Sequence, residues 1–210
     1  MGITAPVIAL GIAMFPRPSL ALTVGVTGGP GLDQGALCLT GNLCPSDPAL
    51  SLIGTEAVTG SFTYNSGTQT ANFNLTLSGN ASFGSETLLA GSTFSATNVP
   101  VQETSLGGGV VEITQNGAAN GLATVNFNPG FSVLANTPAV SGLSCVIGSG
   151  SDQCGVSLGS GGLELGSASN TYNAFLTFNT NVMPVPLPAA AWLMLSGLGY
   201  FVGLRRKRKA

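Results

Sequence analysis

Apolar and polar residues alternate along residues 58–77, and this period of two restricts the segment to extended β-structure. Val58, Phe62 and Tyr64 fall on one face of such a strand, while threonine and serine fall on the other. Residues 65–67, Asn-Ser-Gly, are typical of a turn, and residues 71–77 then repeat the alternation with asparagine and threonine on the polar side. The segment predicts a hairpin with one apolar and one polar face.

Short runs of the same kind recur elsewhere, at residues 93–98, 110–114, 122–127, 140–146 and 173–178. Together with many turn-forming residues and few helix formers, they predict an all-β domain over residues 22–183, which we call the passenger. We expect an antiparallel β-sandwich or jelly roll. A β-solenoid is the alternative, although the chain lacks a sustained internal repeat. The glycine-rich residues 148–166 predict a long loop or a weakly ordered strand pair.

Charge is distributed very unevenly along the chain. All eight acids lie between Leu22 and Val185, whereas the six bases are Arg17 and five residues near the C-terminus, so the passenger carries about minus eight. A domain without a cation cannot neutralise phosphates, and this excludes nucleic acid as a partner.

The four cysteines fall into two local pairs, Cys38 with Cys44 and Cys145 with Cys154. In an exported chain they predict disulfides, although the sequence alone allows three connectivities. A four-thiolate zinc site is the alternative, but zinc ligands are usually paired two to four residues apart. We therefore expect no metal and no cofactor.

The residues needed for most catalytic mechanisms are missing. The chain has no histidine and the passenger has no lysine, so Ser157, in a Gly155-Val-Ser-Leu-Gly159 nucleophile-elbow pattern, has no base to accept its proton. Two of the scattered acids could in principle serve a glycosidase, but surface charge is the simpler interpretation. We expect no catalytic residue and no enzyme activity.

The N-terminus has features of a signal peptide over residues 1–21. Residues 3–15 are an apolar stretch of suitable length, and Ser19-Leu20-Ala21 has small residues at the positions that a signal peptidase recognises. Cleavage is expected after Ala21. A buried strand or helix is the alternative, since the usual basic residues before the apolar stretch are missing.

Residues 189–204 form an uncharged apolar run that five bases follow at once. A helix of this run is about 24 Å long, and the interfacial aromatics Trp192 and Tyr200 and a snorkelling arginine extend its reach toward a bilayer core of about 30 Å. We predict a single transmembrane helix with a cytoplasmic C-terminus. The bases that stop transfer are Arg205, Arg206, Lys207, Arg208 and Lys209.

The segment before this helix is Val185-Pro186-Leu187-Pro188-Ala189, whose prolines keep it extended and accessible to an enzyme. With Trp192, the glycine in the apolar run and the terminal arginines, it resembles the VPLPA-CTERM variant of the PEP-CTERM sorting signal. Leu187 stands where the parent family has glutamate, which points to the variant branch. The resemblance implies that residues 184–210 are a substrate of an exosortase, a membrane-embedded cysteine transpeptidase-like enzyme of Gram-negative bacteria that also make exopolysaccharide.

These observations together predict an exported, non-enzymatic protein. It would be held in the inner membrane by one helix before processing, and lie at the cell surface or in an extracellular polysaccharide or biofilm matrix afterwards. The alternative is a glycan-binding or adhesive surface module. For that role, aromatic residues would have to line an exposed groove, whereas the competing interpretation places them in the core. The candidates are Phe62, Tyr64, Phe73 and Tyr172.

Overall fold

The computed structural model describes residues 21–27, 29–40, 44, 46, 48–128, 132–159, 161–166 and 170–184. These residues form antiparallel β-structure without a helix, so the predicted all-β fold is confirmed. In this part of the chain, no helix has the length and apolar character needed to cross a membrane. The predicted helix over residues 189–204 and all of the predicted signal peptide except Ala21 lie outside the described residues.

In the described ranges, fifteen strands make one hydrogen-bonded sheet. They are, in chain order, β1 (Ala21–Val26), β2 (Gly29–Leu39), β3 (Leu50–Ile53), β4 (Glu56–Asn65), β5 (Thr70–Leu77), β6 (Ala81–Phe83), β7 (Glu86–Leu88), β8 (Thr93–Gly107), β9 (Val110–Gln115), β10 (Ala119–Thr124), β11 (Ser132–Asn136), β12 (Ala139–Ile147), β13 (Gln153–Gly159), β14 (Leu163–Gly166) and β15 (Thr171–Pro184). Each segment predicted as a strand overlaps one of them.

The hairpin predicted from the alternation of residues 58–77 is confirmed as β4 and β5. The two strands pair from Val58 with Leu77 to Asn65 with Thr70. Asn65 stabilises the turn between them, because its side-chain oxygen accepts hydrogen bonds from the backbone N–H groups of Gly67 and Thr68, at 2.9 and 3.3 Å. This is the Asx-type contact that makes asparagine favourable before a turn.

Most strands form a closed meander, in which strands that follow one another in the chain are also neighbours in the sheet. β1 and β2 share one position in the sheet, end to end, because each pairs with β4 on one side and with β15 on the other. β9 and β10 share another position in the same way, between β8 and β12. The circuit continues through β4, β5 and β8 on one side and through β12, β13 and β15 on the other. Because β15 returns to pair with β1 and β2, the circuit closes and has no free edge.

Side chains from opposite walls of this ring meet in its interior. Phe94 on β8 and Phe178 on β15 are fully buried, and their ring centroids are 5.1 Å apart. Walls of one closed antiparallel sheet thus pack face to face around a shared interior, and this confirms the all-β antiparallel fold. The jelly-roll alternative is not what the described strands form, because their order is a meander, whereas a jelly roll contains two Greek keys.

The two ends of the ring differ, and we call them lower and upper. At the lower end, short turns join β4 to β5, β8 to β9 and β12 to β13, and β1 begins beside the end of β15, with Val24 paired to Pro184. At the upper end, longer connections contain β3, β6, β7, β11 and β14. These short strands extend the sheet from β2 and β15 over the upper part of the same apolar core, which we call the upper cluster. The buried side chains of that cluster include Leu37, Phe83, Leu88, Leu163 and Leu165.

The described part of the glycine-rich residues 148–166 contains two strands, β13 and β14, so it is not the long loop that was one of the two predictions. β13 lies in the middle of the ring between β12 and β15, and β14 pairs with β15. Leu158 is 1% exposed, and the ring of Phe175 occupies the space that a side chain at Gly159 would need. Glycine here allows close packing between a strand and a neighbouring aromatic ring, which composition alone does not distinguish from flexibility.

Candidate functional site

Two disulfides join the cysteines in the local pairs. Cys145 and Cys154 lie directly opposite each other on β12 and β13, and Cys38, at the end of β2, is bonded to Cys44 in the following connection. The predicted disulfides are therefore present. Since all four sulfur atoms are oxidised, they do not form the alternative thiolate zinc site.

The nucleophile-elbow pattern around Ser157 is part of a regular strand. Its hydroxyl lies 3.2 Å from the hydroxyl of Thr177 on β15, within hydrogen-bond distance. A nucleophile elbow requires a sharp strand-to-helix turn, which residues 153–159 do not make. Ser157 is consequently placed to bridge two strands.

The described carboxylates are dispersed over the sheet, and two of them, Asp152 and Asp33, accept hydrogen bonds from nearby residues of the sheet and its turns. Asp152 accepts hydrogen bonds from the backbone N–H groups of Gly148 and Ser149 in the β12–β13 turn, at 2.7 and 3.0 Å. Asp33 accepts one from the side-chain amide of Asn179 at 2.6 Å. Among the described residues, the side chains of histidine, cysteine, aspartate and glutamate do not gather in groups of three or more that could hold a metal ion.

A third carboxylate, Glu103 on β8, accepts a hydrogen bond from the phenol of Tyr64 on β4 at 2.7 Å. Burial raises the pKa of Tyr64 to about 12, and the hydrogen bond to Glu103 and its negative charge act in the same direction. The phenol therefore stays protonated across the physiological range and serves as a hydrogen-bond donor.

The aromatic residues proposed for a glycan groove are in the core. Tyr64 and Tyr172 are 8% and 7% exposed, and Phe62 and Phe73 pack against each other with ring centroids 6.1 Å apart. They leave no aromatic surface for stacking on a sugar. A binding site on the passenger must use other side chains.

The outer surface of four neighbouring strands carries hydroxyl and amide side chains in register. Thr59 on β4 pairs with Thr76 on β5, Thr76 with Thr93 on β8, and Thr93 with Thr124 on β10. Directly opposed residues on antiparallel strands point to the same side, so the four threonines form one row across the sheet. We call it the threonine row.

Two further rows lie parallel to the threonine row. The second runs through Ser61, Asn74 and Ser95, which are paired in the same way, and the third through Thr23, Thr63 and Asn72. We call the three rows together the hydroxyl face. Its side chains are exposed or half-buried, and none of them is charged.

Sheet geometry sets the dimensions of the hydroxyl face. Neighbouring strands are about 4.8 Å apart and alternate residues along a strand about 7 Å apart, so the threonine row is about 14 Å long. No hydrogen bond joins the hydroxyls of its four threonines to any other described residue. These hydroxyls are therefore free to bind water or a ligand.

The two cavities described in the ring interior are too small for a ligand. Two apolar cavities lie between its walls, one lined by residues such as Phe62 and Leu143 and the other by residues such as Phe83 and Leu163, and each has a volume of about 10 Å³. Small-molecule sites usually measure about 300 to 1,000 Å³. The hydroxyl face is consequently the candidate functional site of the described residues.

No protein-family model, curated protein or solved structure matches this chain.

The residues predicted to direct sorting lie outside the described part of the chain. β15 ends at Pro184, immediately before the predicted motif of Val185, Pro186, Leu187, Pro188 and Ala189. The predicted basic tail, from Arg205 to Lys209, also falls outside it. Ala21, the predicted signal-cleavage residue, is the first residue of β1.

The hydroxyl face itself was not predicted from the sequence. The alternation of residues 58–77 indicated that Thr59 and Thr76 share the polar side of a hairpin. Adding Thr93 requires the register of β5 against β8, which contains an irregularity between Ala71 and Phe73. The sequence therefore indicated that Thr59 and Thr76 share a face, whereas the positions of Thr93 and Thr124 depend on pairing between strands distant in the chain.

Proposed function

We propose that this chain is an exported, non-enzymatic surface or extracellular-matrix protein that an exosortase-like enzyme processes at its C-terminal tail. Val185 to Ala189 act as the recognition motif, residues 189–204 as a temporary membrane anchor, and the bases from Arg205 to Lys209 as the stop signal. The protein is then released or attached outside a Gram-negative cell, in contact with extracellular polysaccharide.

One observation carries this proposal: Ala21 and Pro184, the described residues next to the two expected processing sites, lie at the same end of a closed sheet. Val24 on β1 pairs with Pro184 on β15, and Ala21 pairs with Asn65. Cleavage after Ala21 removes one paired residue, and cleavage beyond Pro184 removes no described strand. The passenger therefore keeps its core, including the buried Val24 and Val182, after both ends are processed.

The disulfides support the same proposal. Structural disulfides persist in oxidising compartments outside the cytoplasm. Cys145 and Cys154 are 5% and 1% exposed, so their bond is shielded within the passenger. Such a protein fits an extracellular location.

The test is the intact mass of the protein recovered from outside a host that contains an exosortase. We expect the unaltered chain to have lost about its last 20 residues, and the Pro186→Ala/Pro188→Ala variant to retain them. Pro100→Ala, a change of the same type within the sheet, serves as the control and should be processed normally. A tail retained in the unaltered chain would instead indicate a permanent single-pass membrane protein.

The second candidate function is a glycan-binding or adhesive module. The hydroxyl face favours this function, because its uncharged hydroxyl and amide groups can form hydrogen bonds with the hydroxyl groups of a glycan.

A further inference from the structure

We propose that the hydroxyl face binds a neutral, hydroxyl-rich polysaccharide, whose chain crosses β4, β5, β8 and β10 along the threonine row. This inference rests on the proposed function in one respect: export brings the face into contact with such a polymer.

Charge selects a neutral partner. The described part of the passenger has carboxylates and no lysine or arginine, and the hydroxyl face has no charged side chain. An anionic polymer would be repelled by the net negative charge of the domain and would find no cation to pair with. A neutral polymer incurs neither cost.

The chemistry of the face also points to a partner rich in hydroxyl groups. Threonine and serine hydroxyls and asparagine amides both donate and accept hydrogen bonds, as sugar hydroxyls do. Protein interfaces are instead enriched in aromatic residues, methionine and arginine, which the face lacks. Leu122, which pairs with Ser95 and is 51% exposed, adds an apolar contact beside the second row for the C–H groups of a sugar ring.

The number of contacts favours a polymer over a single sugar. Exchanging one hydrogen bond to water for one to a ligand gains only about 0.5 to 1.5 kcal/mol, so useful affinity requires several contacts at once. The threonine row offers four hydroxyls over about 14 Å. A polysaccharide chain can use them together.

The shape of the face favours a flexible chain over a flat crystalline surface. Adjacent strands are rotated by about 20 to 25° in a twisted sheet, so the direction of the strands turns by about 60 to 75° from β4 to β10. The face is also the outer side of a closed ring and is convex. A flexible polymer can follow this surface, whereas a rigid lattice can touch only part of it.

The test is affinity electrophoresis of the full-length chain, with both disulfides formed, in a detergent that has no sugar headgroup. The gels contain hydroxyethylcellulose, dextran or, as the anionic comparison, alginate. Thr76→Val/Thr93→Val removes the two central hydroxyls but keeps β-branched side chains. Thr104→Val/Thr114→Val is the matched control, because both residues lie on outer surfaces of β8 and β9 away from the row.

We expect at least one neutral polymer to retard the unaltered chain and the control, alginate to have no effect, and the row variant to bind about tenfold more weakly. If the row variant does not fold, Thr59→Val/Thr124→Val tests the ends of the same row. The proposal is overturned if neither neutral polymer retards the chain, if alginate retards it equally, or if the row variants bind as the unaltered chain does. Self-association of the unaltered chain in sedimentation, abolished in the row variant, would also overturn it. Tail processing is measured separately, so failure here leaves the proposed function unaffected.

Discussion

Removal of the Cys145–Cys154 disulfide should destabilise the protein mainly through its unfolded state. The bond joins residues nine positions apart, and the chain-entropy relation gives about 2.7 kcal/mol for a loop of that size. Cys145 and Cys154 are almost fully buried, so replacing both by alanine leaves a small void that adds about 1 kcal/mol. The double variant should therefore lose about 4 kcal/mol of unfolding free energy.

Urea unfolding of the oxidised chain and of Cys145→Ala/Cys154→Ala measures this loss. In thermal unfolding, we expect the melting temperature of the variant to fall by roughly 8 to 16 °C, since about 2 to 4 °C corresponds to each kcal/mol for a chain of this size. We also expect a larger urea m-value in the variant, because its unfolded chain has one cross-link fewer and exposes more surface.

A matched comparison is Cys38→Ala/Cys44→Ala, whose loop joins residues six positions apart and gives about 2.4 kcal/mol by the same relation. Cys44 is half-buried, so the void left there should cost less. Two results would refute the reasoning: a loss below about 1 kcal/mol at Cys145–Cys154, or an unchanged m-value, which would place the effect in the folded state.

Three further changes test the packing and the electrostatics of the ring. Phe94→Ala should lower the free energy of unfolding in urea by about 3 to 5 kcal/mol, because the phenyl ring is fully buried between opposite walls. Leu122→Ala, at an exposed position, should lower it by under about 1 kcal/mol, and equal losses would contradict the assignment of Phe94 to the core. Burial, followed by the hydrogen bond to Glu103, raises the pKa of Tyr64 in the folded protein to about 12 from an ordinary value of 10. Its stability advantage over Tyr64→Phe should therefore be complete below pH 10 and fall as pH rises toward 12, and an advantage independent of pH would contradict the burial of the phenol beside Glu103. Gly159→Ala should lower the melting temperature because its methyl group would collide with the phenyl ring packed there, and an unchanged melting temperature would mean that the ring moves aside freely.

The sequence was sufficient for the local parts of the fold. Alternation of period two and a turn tripeptide predicted β4 and β5, because both signals act within about twenty residues. The two local cysteine pairs likewise indicated disulfides, although the sequence left three connectivities open and the structure selects the local one. The hairpin and the cysteine pairs involve residues close together in the chain, and such local features are the ones that a sequence pattern can predict.

Closure of the ring could not be predicted in this way. β2 pairs with β15, and the registers of β5 with β8 and of β2 with β15 both contain irregularities. A shift of one residue would turn every side chain to the opposite face, so register across such distances is determined by packing of the whole core. The sequence shows which threonines lie on these strands, but their alignment in one row depends on the register between the strands of the folded sheet.

The pairing of the first strand with the last also sets an order in time. A ribosome makes β1 first and β15 last, so β1 and β2 must wait for almost the whole described chain before their second neighbour exists. Contacts between residues so far apart in sequence slow folding. Until β15 is in place, the unfinished sheet has two open edges, and such edges can pair with other chains. A cell that makes this protein must keep those edges apart from other chains until the final strand arrives.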